Sequence, residues 1–79
     1  MGAMRRKPVD SSTMRSVGYE AKSRILEIEF DSGAVYQYIG VPTRTHRELL
    51  TAESKGRYFN SEIRDSYPYV QVSRSRATG

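Results

Sequence analysis

The segment RILEIEF, Arg24 to Phe30, runs into Asp31-Ser32-Gly33 and then into AVYQYI, Ala34 to Ile39. An alternating strand followed by a glycine-ended loop restricts the fold of this chain more than any other feature. Successive side chains of a strand point to opposite faces, so Leu26, Ile28 and Phe30 face one way and Ile25, Glu27 and Glu29 the other. Asp-Ser-Gly suits a three-residue hairpin loop, two right-handed positions and then a glycine at positive φ. That loop sets Phe30 opposite Ala34, Ile28 opposite Tyr36 and Leu26 opposite Tyr38. Both tyrosines then share the apolar face. A two-residue loop at Ser32-Gly33 would slip the register and turn every side chain of the following strand to the other face.

The same logic extends in both directions. RSVGYE carries Val17 and Tyr19 on one face, and a turn at Lys22-Ser23 pairs Tyr19 with Leu26 and Val17 with Ile28. Strands are therefore expected at about 15–20, 24–30 and 34–39. After Val41-Pro42 the apolar period changes to that of a helix, with proline suited to a first turn. A helix at about 43–53 has Leu49, Leu50 and Ala52 as its apolar side and Arg44, Arg47, Glu48 and Thr51 as its wet side. Ser54-Lys55-Gly56 interrupts it. A second helix at about 57–66 buries Phe59 and Ile63 and exposes Arg57, Ser61 and Arg64. Pro68 ends it, and YVQV supplies a short last strand at 69–72. A three-stranded antiparallel meander with one apolar face, covered by two helices, gives a two-layer α+β domain.

At 79 residues there is one core. There is no cysteine, and His46 is the single histidine, so neither a disulfide nor a Cys/His zinc cluster is available. That usage fits a reducing, cytoplasmic setting. No apolar run approaches the roughly 20 residues of a membrane span, and neither a metal nor a cofactor is expected. The ordered domain is expected at 10–72, between disordered tails at 1–9 and 73–79. Residues 1–3 read as a cloning remnant before Met4.

The net charge is +4, from 13 Lys/Arg against nine Asp/Glu. Arg5, Arg6, Lys7, Arg74 and Arg76 belong to the ends, offset there only by Asp10, which leaves eight bases and eight acids in the body. The basicity is expected to lie in the tails, where it adds non-specific attraction for phosphate and defines no groove.

Ser11-Ser12, Gly18-Tyr19, the strand from Leu26 to Phe30, Gly33, Tyr36-x-Tyr38, Val41-Pro42, Ala52-x-Ser54-x-Gly56, Tyr58-Phe59-Asn60, Ile63-Arg64 and Tyr67-x-Tyr69 together resemble the KTSC domain. This small domain is named for the C-terminal segment of some lysyl-tRNA synthetases and also occurs as a free-standing bacterial protein. The resemblance spans about Asp10 to Tyr69. It implies RNA binding through the fusion to a tRNA-charging enzyme, and it brings no catalytic residues with it.

No complete catalytic constellation is present, and the chain is read as non-enzymatic. His46 falls near the apolar side of its helix, where a structural role is the rule. Ser11-Ser12 has no base to activate it and closes a turn or caps the first strand. The leading expectation is an RNA-binding module in which Arg44, Arg47, Lys55, Arg57 and Arg64 meet phosphates. Tyr36 and Tyr38 can stack on bases, although packing beneath the helices is the stronger expectation for them. Glu27 and Glu29 would repel phosphate from the other sheet face. A second expectation is a mononucleotide or phosphate held between Tyr36, Tyr38 and the Ser54-Gly56 turn, with Lys55 and Arg57 nearby. The third is a protein-interaction module, using an Ile25/Ile39 patch or a sheet edge.

Overall fold

The computed structural model describes residues 6–74. Its five strands are β1 (Lys7–Pro8), β2 (Met14–Glu20), β3 (Ile25–Phe30), β4 (Ala34–Ile39) and β5 (Tyr69–Arg74). They form one antiparallel sheet in the order β1-β2-β3-β4-β5. Between β4 and β5 the chain makes α1 (Thr43–Thr51), α2 (Lys55–Tyr58) and a π-helical turn at Phe59–Ile63. The expected meander is therefore the centre of a wider sheet. Strand β1 pairs Lys7 with Val17 inside a segment expected to be disordered, and β5 reaches Arg74, past the expected end at 72.

The register follows the hairpin chemistry. Gly33 has φ +97° and its N–H donates to the Phe30 carbonyl, as the three-residue loop requires. Ile28 pairs with Tyr36, Leu26 with Tyr38, Ile25 with Ile39, Tyr19 with Leu26 and Val17 with Ile28. Two irregularities escape the alternation rule, one in the β4–β5 pairing between Val35 and Tyr36 and one in β2. A β-bulge between Met14 and Ser16 leaves Arg15 unpaired in the ladder. The extra residue flips the phase, so Met14 enters the core at 1% exposure while Arg15 stays out and meets Asp31.

Pro42 stands at the N-cap of α1, and its carbonyl accepts from the N–H groups of Thr45 and His46. The helix stops at Thr51 because Ala52 is extended, with ψ 144°. Thr45 and Leu49, four residues apart, form its inward line, whereas Leu50 lies about 100° further round and is 39% exposed. The expected apolar side of Leu49, Leu50 and Ala52 is thus rotated. The second helix starts two residues early, capped by the Ser54 hydroxyl accepting from the Arg57 N–H. It then widens. The Arg64 N–H bonds the Phe59 carbonyl at 2.9 Å, the five-residue spacing of a π turn, and both Phe59 and Ile63 are buried.

The core lies between the sheet and these helices. Leu26, Ile28, Val41, Leu49 and Ile63 have no exposed surface. Tyr38 is 4% exposed and Tyr36 is half-buried, both on the helix side of the sheet.

Candidate nucleic-acid interface

The two sheet faces differ sharply in charge. On the face away from the helices, Arg6 lies over the carboxylates expected to repel phosphate. Its Nε donates to Ser16 Oγ at 2.9 Å, its Nη1 is paired with Glu27, and its Nη2 lies 3.9 Å from Glu29. Ser16 donates in turn to Glu29, and the Gln37 amide donates to Glu27 at 2.9 Å. Arg6, expected in a disordered basic tail, is instead the counterion of a buried glutamate.

The helical side carries the cations expected to meet phosphate. Among the described residues, none of Arg44, Arg47, Lys55, Arg57 and Arg64 enters an ion pair, and all except the half-buried Lys55 are exposed. The pairing with neighbouring acids that commonly neutralises such stripes is absent there. Glu48 accepts from the Tyr58 hydroxyl at 2.8 Å, and the Tyr58 phenol is pushed up to about 12 by desolvation first and by that bond second.

Arg64 shares a cleft of about 450 Å³ with Tyr36, Tyr38, Phe59 and Tyr69, and Asp65 lines it as well without forming an ion pair with Arg64 among the described residues. Tyr36 and Tyr38 lie 6.4 Å apart with rings 25° from parallel, and Tyr69 reaches them across the β4–β5 pairing at 5.4 and 5.5 Å. Burial pushes the Tyr38 phenol up to about 12, aided by Tyr36 and Tyr69, so it stays neutral at physiological pH. Tyr69 is 54% exposed. This ring was absent from the sequence-based candidates, although the alternation that places Tyr36 and Tyr38 on one face, continued across a last strand, would have found it.

Ser54 and Gly56 line a different, polar cleft of about 270 Å³, with Ser11, Ser12 and Thr13. It shares no residue with the tyrosine cleft, so the proposed mononucleotide site between Tyr36, Tyr38 and this turn is not assembled. Gly56 has a packing role: a Cβ there would fall 2.6 Å from Thr13 Oγ1. The Ile25/Ile39 pair does form, with Ile39 39% exposed. Strand β5 is the last in the sheet order and exposes Val70 and Val72.

His46 stacks on Tyr19, with ring centroids 4.6 Å apart and planes 13° from parallel. The Tyr19 hydroxyl donates to the Val41 carbonyl and so fixes the stack. Desolvation lowers the His46 pKa below its ordinary value. A base whose folded pKa is depressed contributes stability that is full above its unfolded value, about 6.5, and is lost as pH falls through the folded one. Thermal stability is therefore expected to decline from pH 7 to pH 5, and His46→Phe should flatten that part of the profile. An unchanged slope in the variant would assign the decline to other groups.

Among the described residues no group of three or more His, Asp or Glu side chains is placed to hold a metal, and no helix is long and apolar enough to cross a membrane.

The chain is similar to known proteins. A KTSC domain protein from Yersinia pestis, known from its crystal structure, superposes with a TM-score of 0.86 at 42% identity, over 90% of this chain and 100% of that one. An uncharacterised protein of Stutzerimonas stutzeri is 44% identical over 70 residues, covering 87% of this chain and 99% of its own. A lysine–tRNA ligase of Nostoc punctiforme is 41% identical over 64 residues, which cover 81% of this chain but 11% of the ligase. The family model for the KTSC domain matches residues 10–67, and with that match the chain belongs to the KTSC domain family.

Proposed function

We propose that this domain is a non-enzymatic RNA-binding module that works from its helical side. The observation carrying this reading is the exposed Tyr69 ring beside Arg64 in one cleft, on the side whose other cations have no carboxylate partner among the described residues. A half-exposed phenol ring next to a guanidinium suits an unstacked base and its phosphate, the usual target of sequence-tolerant single-strand recognition. Arg44, Arg47, Lys55 and Arg57 extend the phosphate contact along the helices. The similarity to a segment of a lysine–tRNA ligase supports RNA as the polymer, and a cytoplasmic location belongs to the same reading. No acid–base pair accompanies His46, whose lowered pKa favours a neutral imidazole.

Binding of tRNA and of an unstructured RNA oligomer, measured across a salt series, tests this. Five phosphate contacts to a single strand predict a log–log slope of about −3.5. Tyr69→Ala should weaken binding by about 1–3 kcal/mol with little loss of stability, given the exposure of that ring. Absence of binding to either RNA at about 50 mM salt would reject the proposal.

A further inference from the structure

A second cleft, on the opposite side of the helices from the tyrosine row's lining, has a different character. It measures about 470 Å³ and lies between β1, β2 and α1, within the size range of small-molecule sites. Its walls are Val9, Val17 and Leu50 with the stacked Tyr19–His46 pair, and among the described residues Lys7 and Lys55 supply its only charged groups. No acidic residue lines it, and neither lysine enters an ion pair among the described residues. Leu50 is 39% exposed here, an apolar side chain of α1 that the core does not take up.

We infer that this cleft binds a small organic acid with a flat apolar body, its carboxylate met by Lys7 and Lys55 and its body laid against Leu50 and the Tyr19–His46 stack. The charge argument is direct. Two ammonium groups at an apolar cleft have no internal anion, so an anionic ligand gains charge-assisted hydrogen bonds at its head while burying its body. A cationic ligand would meet only repulsion. The stack adds an aromatic, neutral wall: the Tyr19 hydroxyl is committed to the Val41 carbonyl, and the lowered His46 pKa favours the uncharged imidazole at neutral pH. The lining brings the stretch from Lys7 to Tyr19 together with His46, Leu50 and Lys55, more than 25 residues further along the chain, so the cleft is a product of the fold. The inference does not rest on RNA binding: the tyrosine cleft contributes no residue to it, and of the proposed phosphate contacts it shares Lys55 alone, so Lys7 and Leu50 separate the two readings.

The test is an NMR titration of the full chain with 1-naphthoate, beside 1-naphthalenemethanol as the neutral analogue and acetate as the head group alone. Saturable shifts at the Gly18 amide, the His46 ring and the Leu50 methyls are expected with naphthoate. Binding should weaken at least about tenfold for the alcohol, and acetate should give no saturation. Lys7→Gln and Lys55→Gln should each weaken naphthoate several-fold, and Leu50→Glu should abolish its binding. Lys7 and Leu50 are exposed, so folding is retained, and a native proton spectrum checks it. The inference is overturned by absence of saturation with naphthoate, by shifts centred on Tyr36 and Tyr69 instead, or by equal affinity for the neutral alcohol.

Discussion

Phe59→Ala is expected to lower the unfolding free energy by about 3–5 kcal/mol, the range for deleting a buried phenylalanine side chain. Phe59 is 5% exposed and is the aromatic that the helical layer inserts into the tyrosine row. Its ring meets Phe30 edge-on at 5.3 Å and Tyr38 edge-on at 5.4 Å. Such pairs add to the burial of the ring itself. The loss therefore combines transfer, cavity and aromatic contacts at the point where sheet and helices meet. A domain of this size has a total stability of roughly 4–12 kcal/mol, so the variant should be largely or marginally unfolded at 37 °C, with Tm lowered by more than about 12 °C. Phe59→Leu keeps most of the volume and should lose about a third as much. Urea denaturation of both variants decides the matter: a loss below about 1 kcal/mol for Phe59→Ala would remove Phe59 from the centre of the core. The Tyr69→Ala variant is the useful contrast, because its ring also meets Tyr38 but stands 54% exposed. Stability should separate the two substitutions even though they share that neighbour.

The parts of this fold that could be read from the sequence are those governed by local rules. Alternation from Leu26 to Phe30, with a glycine-ended loop after it, was enough to pair Ile28 with Tyr36 and to turn both tyrosines toward the helices. The helical spacing of Phe59 and Ile63 identified both as buried. What escaped depended on a single extra residue or on contacts distant in sequence. The bulge at Arg15 reverses the phase of β2, and no composition rule announces it. The π turn at Phe59–Ile63 adds one residue to a helical loop closure that periodicity reads as α. The rotation of α1, which buries Thr45 and exposes Leu50, is set by tertiary packing, since both phases are amphipathic.

The candidate site was legible in the same uneven way. Arg64 and the two tyrosines were nominated separately, one for phosphate and two for stacking, and the fold brings them to one cleft. Ser54 and Gly56 were nominated with those tyrosines but sit with Ser11, Ser12 and Thr13, about 40 residues earlier. The closeness of helix and turn in sequence was no guide there, because the long return from β4 to β5 carries α2 toward the other end of the sheet's connections.

Arg6→Ala is expected to cost about 2–3 kcal/mol, less than the roughly 3–5 of breaking a fully buried pair, because the Arg6 side chain is 25% exposed. The penalty falls on what remains. The Glu27 side chain is 4% exposed, and with Arg6 gone its carboxylate keeps, among the described residues, only the Gln37 amide as a side-chain donor. A buried carboxylate short of its counterion costs more than the lost attraction alone. The double variant Arg6→Ala/Glu27→Gln should therefore be more stable than Arg6→Ala, since an amide at position 27 removes the stranded charge. A double-mutant cycle by urea denaturation reads this as a coupling above about 1 kcal/mol; additivity would mean that the pair contributes nothing as a pair. Arg6→Lys should recover only part of the loss, because one ammonium cannot reproduce a guanidinium that reaches Ser16, Glu27 and Glu29 at once. The same network explains why recognition is sought on the helical side. With Arg6 committed to this face, its guanidinium is not free for phosphate, while Arg64 and its neighbours on the other side enter no ion pair among the described residues.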